Sequence, residues 1–154
     1  MNIRTATPAD IPFLLQLDRD STTAAHWTLE QYTNLFRDGA GARRLFLLAD
    51  REDVPLGFLV AQHVPSDWEL ENIAVLSTER RKGIGARLLH ALMDAASQSA
   101  SESIFLEVRE SNHPARRFYE KTGFLQAGVR KGYYRDPPED AVLYTLDLRK
   151  PIQS

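Results

Sequence analysis

The chain has 154 residues, 43% hydrophobic and 26% charged, with a net charge of −2 at pH 7 and no cysteine. It is long enough to bury a core without cross-links, and the missing cysteines exclude disulfide scaffolds, thiolate metal sites and cysteine nucleophiles together. The charge balance disfavours a nucleic-acid binder, no apolar run approaches the roughly 20 residues that span a bilayer, and Met1–Thr5 opens no apolar leader. The expectation is one cytoplasmic domain over residues 1–154, with neither membrane nor nucleic acid as partner.

Asn2–Ala6 reads as a short strand. Thr7 follows as a helix N-cap with Pro8 at the first helical position, and Phe13, Leu14 and Leu17 mark a helix running to about Arg19. Thr28 and Gln31 have the spacing of a capping box and start a second helix, which ends before Gly39 and Gly41. Leu45–Ala49 and Leu56–His63 are apolar strands joined by the polar turn Asp50–Asp53, and Trp68–Val75 is a third. The longest helix runs from Gly83 to about Ala100, with Ile84, Leu88, Leu92 and Ala95 on one face. Ile104–Val108 is a strand, and Asn112-His113-Pro114 opens a compact helix stopped by Gly123. Phe124–Val129 and Ala141–Leu148 complete the pattern as strands, with Tyr133, Tyr134 and the Pro137-Pro138 pair in the loop between them. Antiparallel strands first, then alternating strand and helix, predict an α+β fold: a mixed, mostly antiparallel central sheet with helices on both faces.

Arg80-Arg81-Lys82-Gly83-Ile84-Gly85-Ala86 lies between a strand and the longest helix. Two glycines allow a tight turn and close approach of a ligand, the first helical amides have no internal partners, and the cationic flank, with Arg87, suits a pyrophosphate. The segment is neither a Walker loop nor a dinucleotide fingerprint, since it lacks Gly-Lys-Ser/Thr and a third glycine.

Arg80-x-x-Gly83-x-Gly85 after Asn72-Ile73-Ala74-Val75 resembles the acetyl-CoA signature of the GNAT N-acetyltransferase superfamily. Leu106 to Asn112, then Ala115, Phe118-Tyr119-Glu120 and Gly123-Phe124, are similar to its second half. Arg130, Tyr133-Tyr134 and Glu139-Asp140-Ala141 resemble the branch of bacterial ribosomal-protein-alanine N-acetyltransferases. The resemblance runs from about Trp68 to Leu148, while the first half matches only in outline. It implies the GNAT acyl-CoA N-acyltransferase fold and acetyl-CoA as co-substrate. It also implies that Ile73, Ala74 and Val75 line the pantetheine arm with strand backbone, the amide of Val75 facing the thioester carbonyl. On the same resemblance Arg81, Lys82, Gly83, Ile84, Gly85 and Ala86 cradle the pyrophosphate, and Asn112 bonds the pantetheine arm. Asn112 has a competing part as N-cap of the helix that follows.

Acetyl transfer to an amine needs a proton acceptor for the nucleophile and a proton donor for the departing thiolate. Glu107 interrupts an apolar strand and faces away from Leu106, so it is the candidate base; the resemblance places Tyr119 at the donor position. Glu69 and Glu71 are rival bases, with Glu71 expected on the face of Ile73. The four histidines have no metal-binding spacing, so no metal is expected; His26, next to Trp27, reads as surface packing with substrate contact as the alternative, and Ser111 has no adjacent histidine base. The expected acceptor is the N-terminal amine of a protein, such as a ribosomal protein. A small amine stays open through Glu69, Glu71, Glu139 and Asp140, as does a non-catalytic acyl-CoA sensor.

Overall fold

The computed structural model describes residues 1–21, 24–37 and 43–149. Gly39 and Gly41 lie outside them, so the expected stop of the second helix is not among the described residues. The elements in order are β1 (Asn2–Thr5), α1 (Ile11–Asp20), α2 (Leu29–Leu35), β2 (Arg44–Arg51), β3 (Val54–Val64), β4 (Asp67–Val75), α3 (Ile84–Gln98), β5 (Ser103–Arg109), α4 (His113–Lys121), β6 (Leu125–Arg135) and β7 (Pro138–Asp147). The strands form one seven-stranded sheet in the order β1-β2-β3-β4-β5-β7-β6. Every pairing is antiparallel except β4 with β5.

The caps form as the sequence suggests. Thr7 and Asp10 close a capping box over a single 3-10 turn that leads into α1. The Thr28 hydroxyl accepts the amide of Gln31 at 3.2 Å, while the Gln31 side chain accepts the amide of Thr28 at 2.8 Å. Strand alternation then sorts the core into two layers. Leu47, Leu59, Leu70 and Ile73 meet Leu88 and Leu92 of α3 on one face. Phe46, Leu48, Phe58 and Val60 meet Leu14 and Leu17 of α1, with Tyr32 and Leu35 of α2, on the other.

Two departures from the expected strands shape the site. In β4, Val60 pairs with Asn72 while Ala61 pairs with Leu70, so Glu71 is an extra, bulged residue. The bulge inverts the alternation: Leu70 and Ile73 both sit in the α3 layer, and Ala74 sits in the α1/α2 layer. The second departure corrects the expected loop. Tyr133 and Tyr134 belong to β6, which runs on to Arg135, and only Asp136 and Pro137 turn the chain before β7 begins at Pro138. Residues 131–133 stand opposite the single residue Asp140. Gly132, at φ +62°, makes that bulge, and its amide is accepted by Asp140 Oδ1 at 2.8 Å. Pro138 is compatible with a strand because it is the first residue.

Candidate active site

β4 and β5 pair only through Asp67–Ser103, Trp68–Ile104 and Glu69–Phe105, although the strands continue to Val75 and Arg109. Beyond that point they diverge, leaving Leu70–Val75 and Leu106–Arg109 without pairing to each other. A cleft of about 300 Å³ occupies the split, lined by Glu71, Glu107, Asn112, Tyr119, Tyr134 and the segment 24–26, among others. It reaches both sides of the sheet. Ile104, Leu106 and Val108 pack in the α3 layer, so Glu107 emerges on the α1/α2 side, as expected from the sequence. Tyr119 comes from the other side, packed in the α3 layer against Phe124 and Tyr144.

The carboxylates at and beneath the cleft are not equivalent. Glu71 is held by Arg44 in a two-point pair, Nε to Oε1 at 2.9 Å and Nη2 to Oε2 at 3.1 Å. Arg44 shares the α1/α2 side with Phe46 and Leu48, so Glu71 leans away from Ile73; the expectation that the two share a face fails because of the bulge. Glu69 is raised above the ordinary carboxylate range, first by burial and then by the charges of Glu71 and Glu107. Glu107 is mostly buried and pairs with the exposed Arg130, Nε to Oε1 at 3.1 Å. Its charge is the leading cause that raises the Tyr133 phenol, and it adds to burial in raising that of Tyr134. Tyr119 is pushed well above an ordinary phenol by burial. It therefore holds its proton at neutral pH. Glu139 and Asp140 are both engaged: Glu139 takes Arg109 at 3.2 Å and the amide of Ser111 at 2.5 Å, and Asp140 takes Gly132. Arg109 also stacks over Tyr134 at 4.2 Å and donates to the carbonyls of Asp136 and Pro137, which ties the β6–β7 turn to the cleft.

At the glycine loop, Gly83 is the N-cap of α3 at φ +80°, and a Cβ there would meet nothing within 4 Å. The amides of Ile84, Gly85 and Ala86 precede the first intrahelical bond, Arg87 to Gly83 at 3.0 Å, and point out of the helix. Gly85 has a different reason from the expected one. A Cβ there would lie 2.9 Å from Phe118 Cζ, so this glycine allows α4 to pack on α3. Lys82 is bridged back to Glu79 at 3.2 Å, which also binds Arg51, and Arg81 sits at φ +65°. The side chains of Ile73 and Ala74 enter opposite core layers, so they have only backbone to offer a ligand. Asn112 Oδ1 accepts the amide of Ala115 at 3.3 Å, confirming the capping part, and the residue also lines the cleft.

Sequence reasoning missed the strut beneath the acceptor side. Asp18 is fully buried and accepts the amides of His26 at 2.6 Å and Trp27 at 2.9 Å, the Tyr32 hydroxyl, and Asn72 Nδ2 at 3.3 Å. Asn72 in turn accepts the amide of Ala25 at 2.8 Å. Four polar partners offset the cost of burying the carboxylate. They fix Ala25 and His26 as a wall of the cleft and hold Trp27 beside it, with His26 at φ +59°. His26 lines the cleft while its side chain stays largely exposed, at the surface position expected for it. Among the described residues no group of three or more His, Cys, Asp or Glu is placed to hold a metal ion, and no helix is long and apolar enough to cross a membrane.

Residues 11–124 match the model of the acetyltransferase (GNAT) family. The chain is 33% identical over 133 residues to a [ribosomal protein bS18]-alanine N-acetyltransferase of Salmonella typhimurium, covering 80% of this chain and 90% of that protein. It is 45% identical over 96 residues to an N-alpha-acetyltransferase of Saccharolobus solfataricus, covering 60% and 57%. The crystal structure of the ribosomal-protein-S18-alanine N-acetyltransferase from Escherichia coli superposes with a TM-score of 0.80 at 27% identity, covering 99% of this chain and 97% of that one.

Proposed function

Because this chain belongs to the GNAT acetyltransferase family, we propose that it moves the acetyl group of acetyl-CoA onto the N-terminal α-amine of a protein, a ribosomal protein being the leading target. Glu107 takes the proton in this reading and Tyr119 gives one. The observation that carries it is the cleft through the β4–β5 split, with Glu107 entering from one side of the sheet and Tyr119 from the other. A base and an acid kept apart by a sheet cannot neutralise each other, yet both reach a molecule lying in the slot.

The residues present fit acetyl-CoA. The outward amides of Ile84, Gly85 and Ala86 and the open surface above Gly83 suit a pyrophosphate, with Arg81 and Lys82 beside them. The diverging strands offer main-chain groups of Ile73–Val75 to an extended arm, and Asn112 lies at its far wall. Bound there, the co-substrate supplies a thioester. An N-terminal amine has an ordinary pKa near 7.7–8.0, so much of it arrives as ammonium and must lose a proton before it attacks. Glu107 is the cleft carboxylate on the acceptor side that no second carboxylate-anchoring pair like Glu71–Arg44 immobilises at both oxygens. Tyr119, still protonated, supplies a proton on the thiolate side.

The relatives named for N-terminal substrates support a peptide acceptor. So does the state of the acidic residues. A polycation would need several free carboxylates, and three of the four acidic residues that could serve it, Glu71, Glu139 and Asp140, are engaged. The test is CoA release from acetyl-CoA with a panel of free N-terminal peptides, lysine peptides and small amines. Turnover confined to free N-termini is expected. Turnover on small amines alone, or tight CoA binding with no turnover, would refute the proposal.

A further inference from the structure

We infer that Arg130 is a resident stand-in for the acceptor's ammonium: its guanidinium holds the seat opposite Glu107 in the resting protein, is displaced by the incoming amine, and returns once acetylation has removed the acceptor's charge. The inference rests on the reading of Glu107 as the carboxylate that meets the amine.

Three observations carry it. Glu107 lines the cleft with its side chain only 14% exposed, yet its ion-pair partner is 58% exposed and reaches in from the edge strand β6. An exposed arginine on an edge strand is cheap to move, since a pair of this kind contributes little and costs side-chain freedom. Second, Arg130 has somewhere to go. It is the last regularly paired residue before the β6 bulge, and its guanidinium already lies 5.7 Å from the ring of Tyr133, half exposed beside it. Third, the charges favour a cation at this point. Glu107 adds to the charge that burdens Glu69, and Arg44 and then Arg130 offset it. Arg44 is committed to Glu71. When Arg130 leaves, an arriving ammonium restores the pairing with Glu107. A neutral amide product does not, so the return of Arg130 favours release.

The test reads binding, not turnover. Affinities of the tripeptide Ala-Ala-Ala amide and of its N-acetylated form are measured by calorimetry on the full chain, with and without CoA, in wild type, Arg130→Gln and Arg130→Lys. Removing a competing cation should tighten binding of the free-amine peptide about threefold to fivefold, the range of an exposed ion pair, and leave the acetylated peptide unchanged. Arg130→Lys should restore the wild-type difference. Introduced beside Glu107→Gln, Arg130→Gln should give no gain. Weaker binding of the free-amine peptide, an equal change for both peptides, a gain that persists without the Glu107 charge, or no binding by any variant would each overturn the inference. If instead Glu107→Gln leaves turnover intact, the proton acceptor lies elsewhere, and the affinity comparison still decides whether Arg130 exchanges with the amine.

Discussion

Glu107 and Glu71 are both carboxylates at the cleft, and their partners separate them. Both oxygens of Glu71 are occupied by one guanidinium from β2, whereas Glu107 is held through one oxygen by the exposed Arg130 and by a hydrogen bond with the half-exposed Tyr133. Glu107→Gln should therefore cut turnover at least ~100-fold, the scale of a lost general base, with little change in acetyl-CoA affinity. Glu71→Gln should instead show its main effect in the unfolding midpoint. A steady-state assay beside a denaturation curve distinguishes the two, and the assignment is wrong if the effects are exchanged. Tyr119→Phe keeps the ring against Phe124 and Tyr144 and removes only the hydroxyl. Its expected signature is slower turnover, by ~10²-fold or more, at an unchanged melting temperature. At this scale much was legible: Glu107 stood out because it breaks an apolar strand, and Asn112 because it precedes a proline-headed helix. Asp18 was not, since a carboxylate on a helix reads as solvated. Its partner Asn72 lies 54 residues away, and no local pattern announces such a pair.

Elements set what those residues can reach. The bulge at Glu71 turns Asn72 toward α1 and α2, where it meets Asp18 and Tyr32; a regular strand would have sent it into the α3 layer. Periodicity finds strands by assuming the alternation that a bulge breaks, so the existence of β4 was readable and its site geometry was not. The same limit hid the far half of β6. Bulges at Ala127 and at residues 131–133 scramble its period, and nearly all its residues are exposed, so it resembled a loop. The Asp18–Tyr32–Asn72 strut makes a specific demand on the segment 25–27. Tyr32→Phe retains the edge contacts with Trp27 and Phe58 but leaves the buried Asp18 one donor short, at a cost of about 1–3 kcal/mol in urea denaturation. Because the strut supports the acceptor wall and not the α3 amides, the acceptor KM should rise while acetyl-CoA affinity holds. Gly85→Ala should do the reverse. Its Cβ meets the end of the Phe118 ring, so the ring, or α4 with it, must shift off α3, costing about 1–3 kcal/mol and weakening acetyl-CoA. Phe118→Leu in the same chain should recover much of both, as measured by thermal melting and calorimetry.

The whole molecule is tied across its layers by ion pairs whose response to pH differs in sign. Arg4 joins β1 to Asp10 ahead of α1 at 2.9 Å and to the buried Asp50 of β2 at 3.1 Å. The hydrogen bond from Arg4 holds Asp10 below its usual 3.8. Contacts with Arg51 and with Ser111 do the same for Glu79 and Glu139. A carboxyl group depressed in the folded state adds stability that is full above its unfolded pKa and is lost as pH falls through the folded one. Glu69 runs the other way. Burial raises it above 4.5, so its ionised form costs stability at neutral pH, and that cost disappears on acidification. Urea midpoints from pH 7 down to pH 3 should therefore fall for the wild type. Asp10→Asn should start lower at pH 7 and converge with the wild type as the Asp10 carboxyl of the latter is protonated. Glu69→Gln should start higher, and its advantage should fade as pH drops toward 4.5. The two variants differ from the wild type in opposite directions at neutral pH and approach it over different ranges. A shift of the same sign in both would mean that Glu69, the last β4 residue to pair with β5 before the split, carries no burial cost. The site would then be wetter than the split between β4 and β5 implies, and a slot open to bulk water would not favour transfer of an acetyl group to an amine over its loss to hydrolysis.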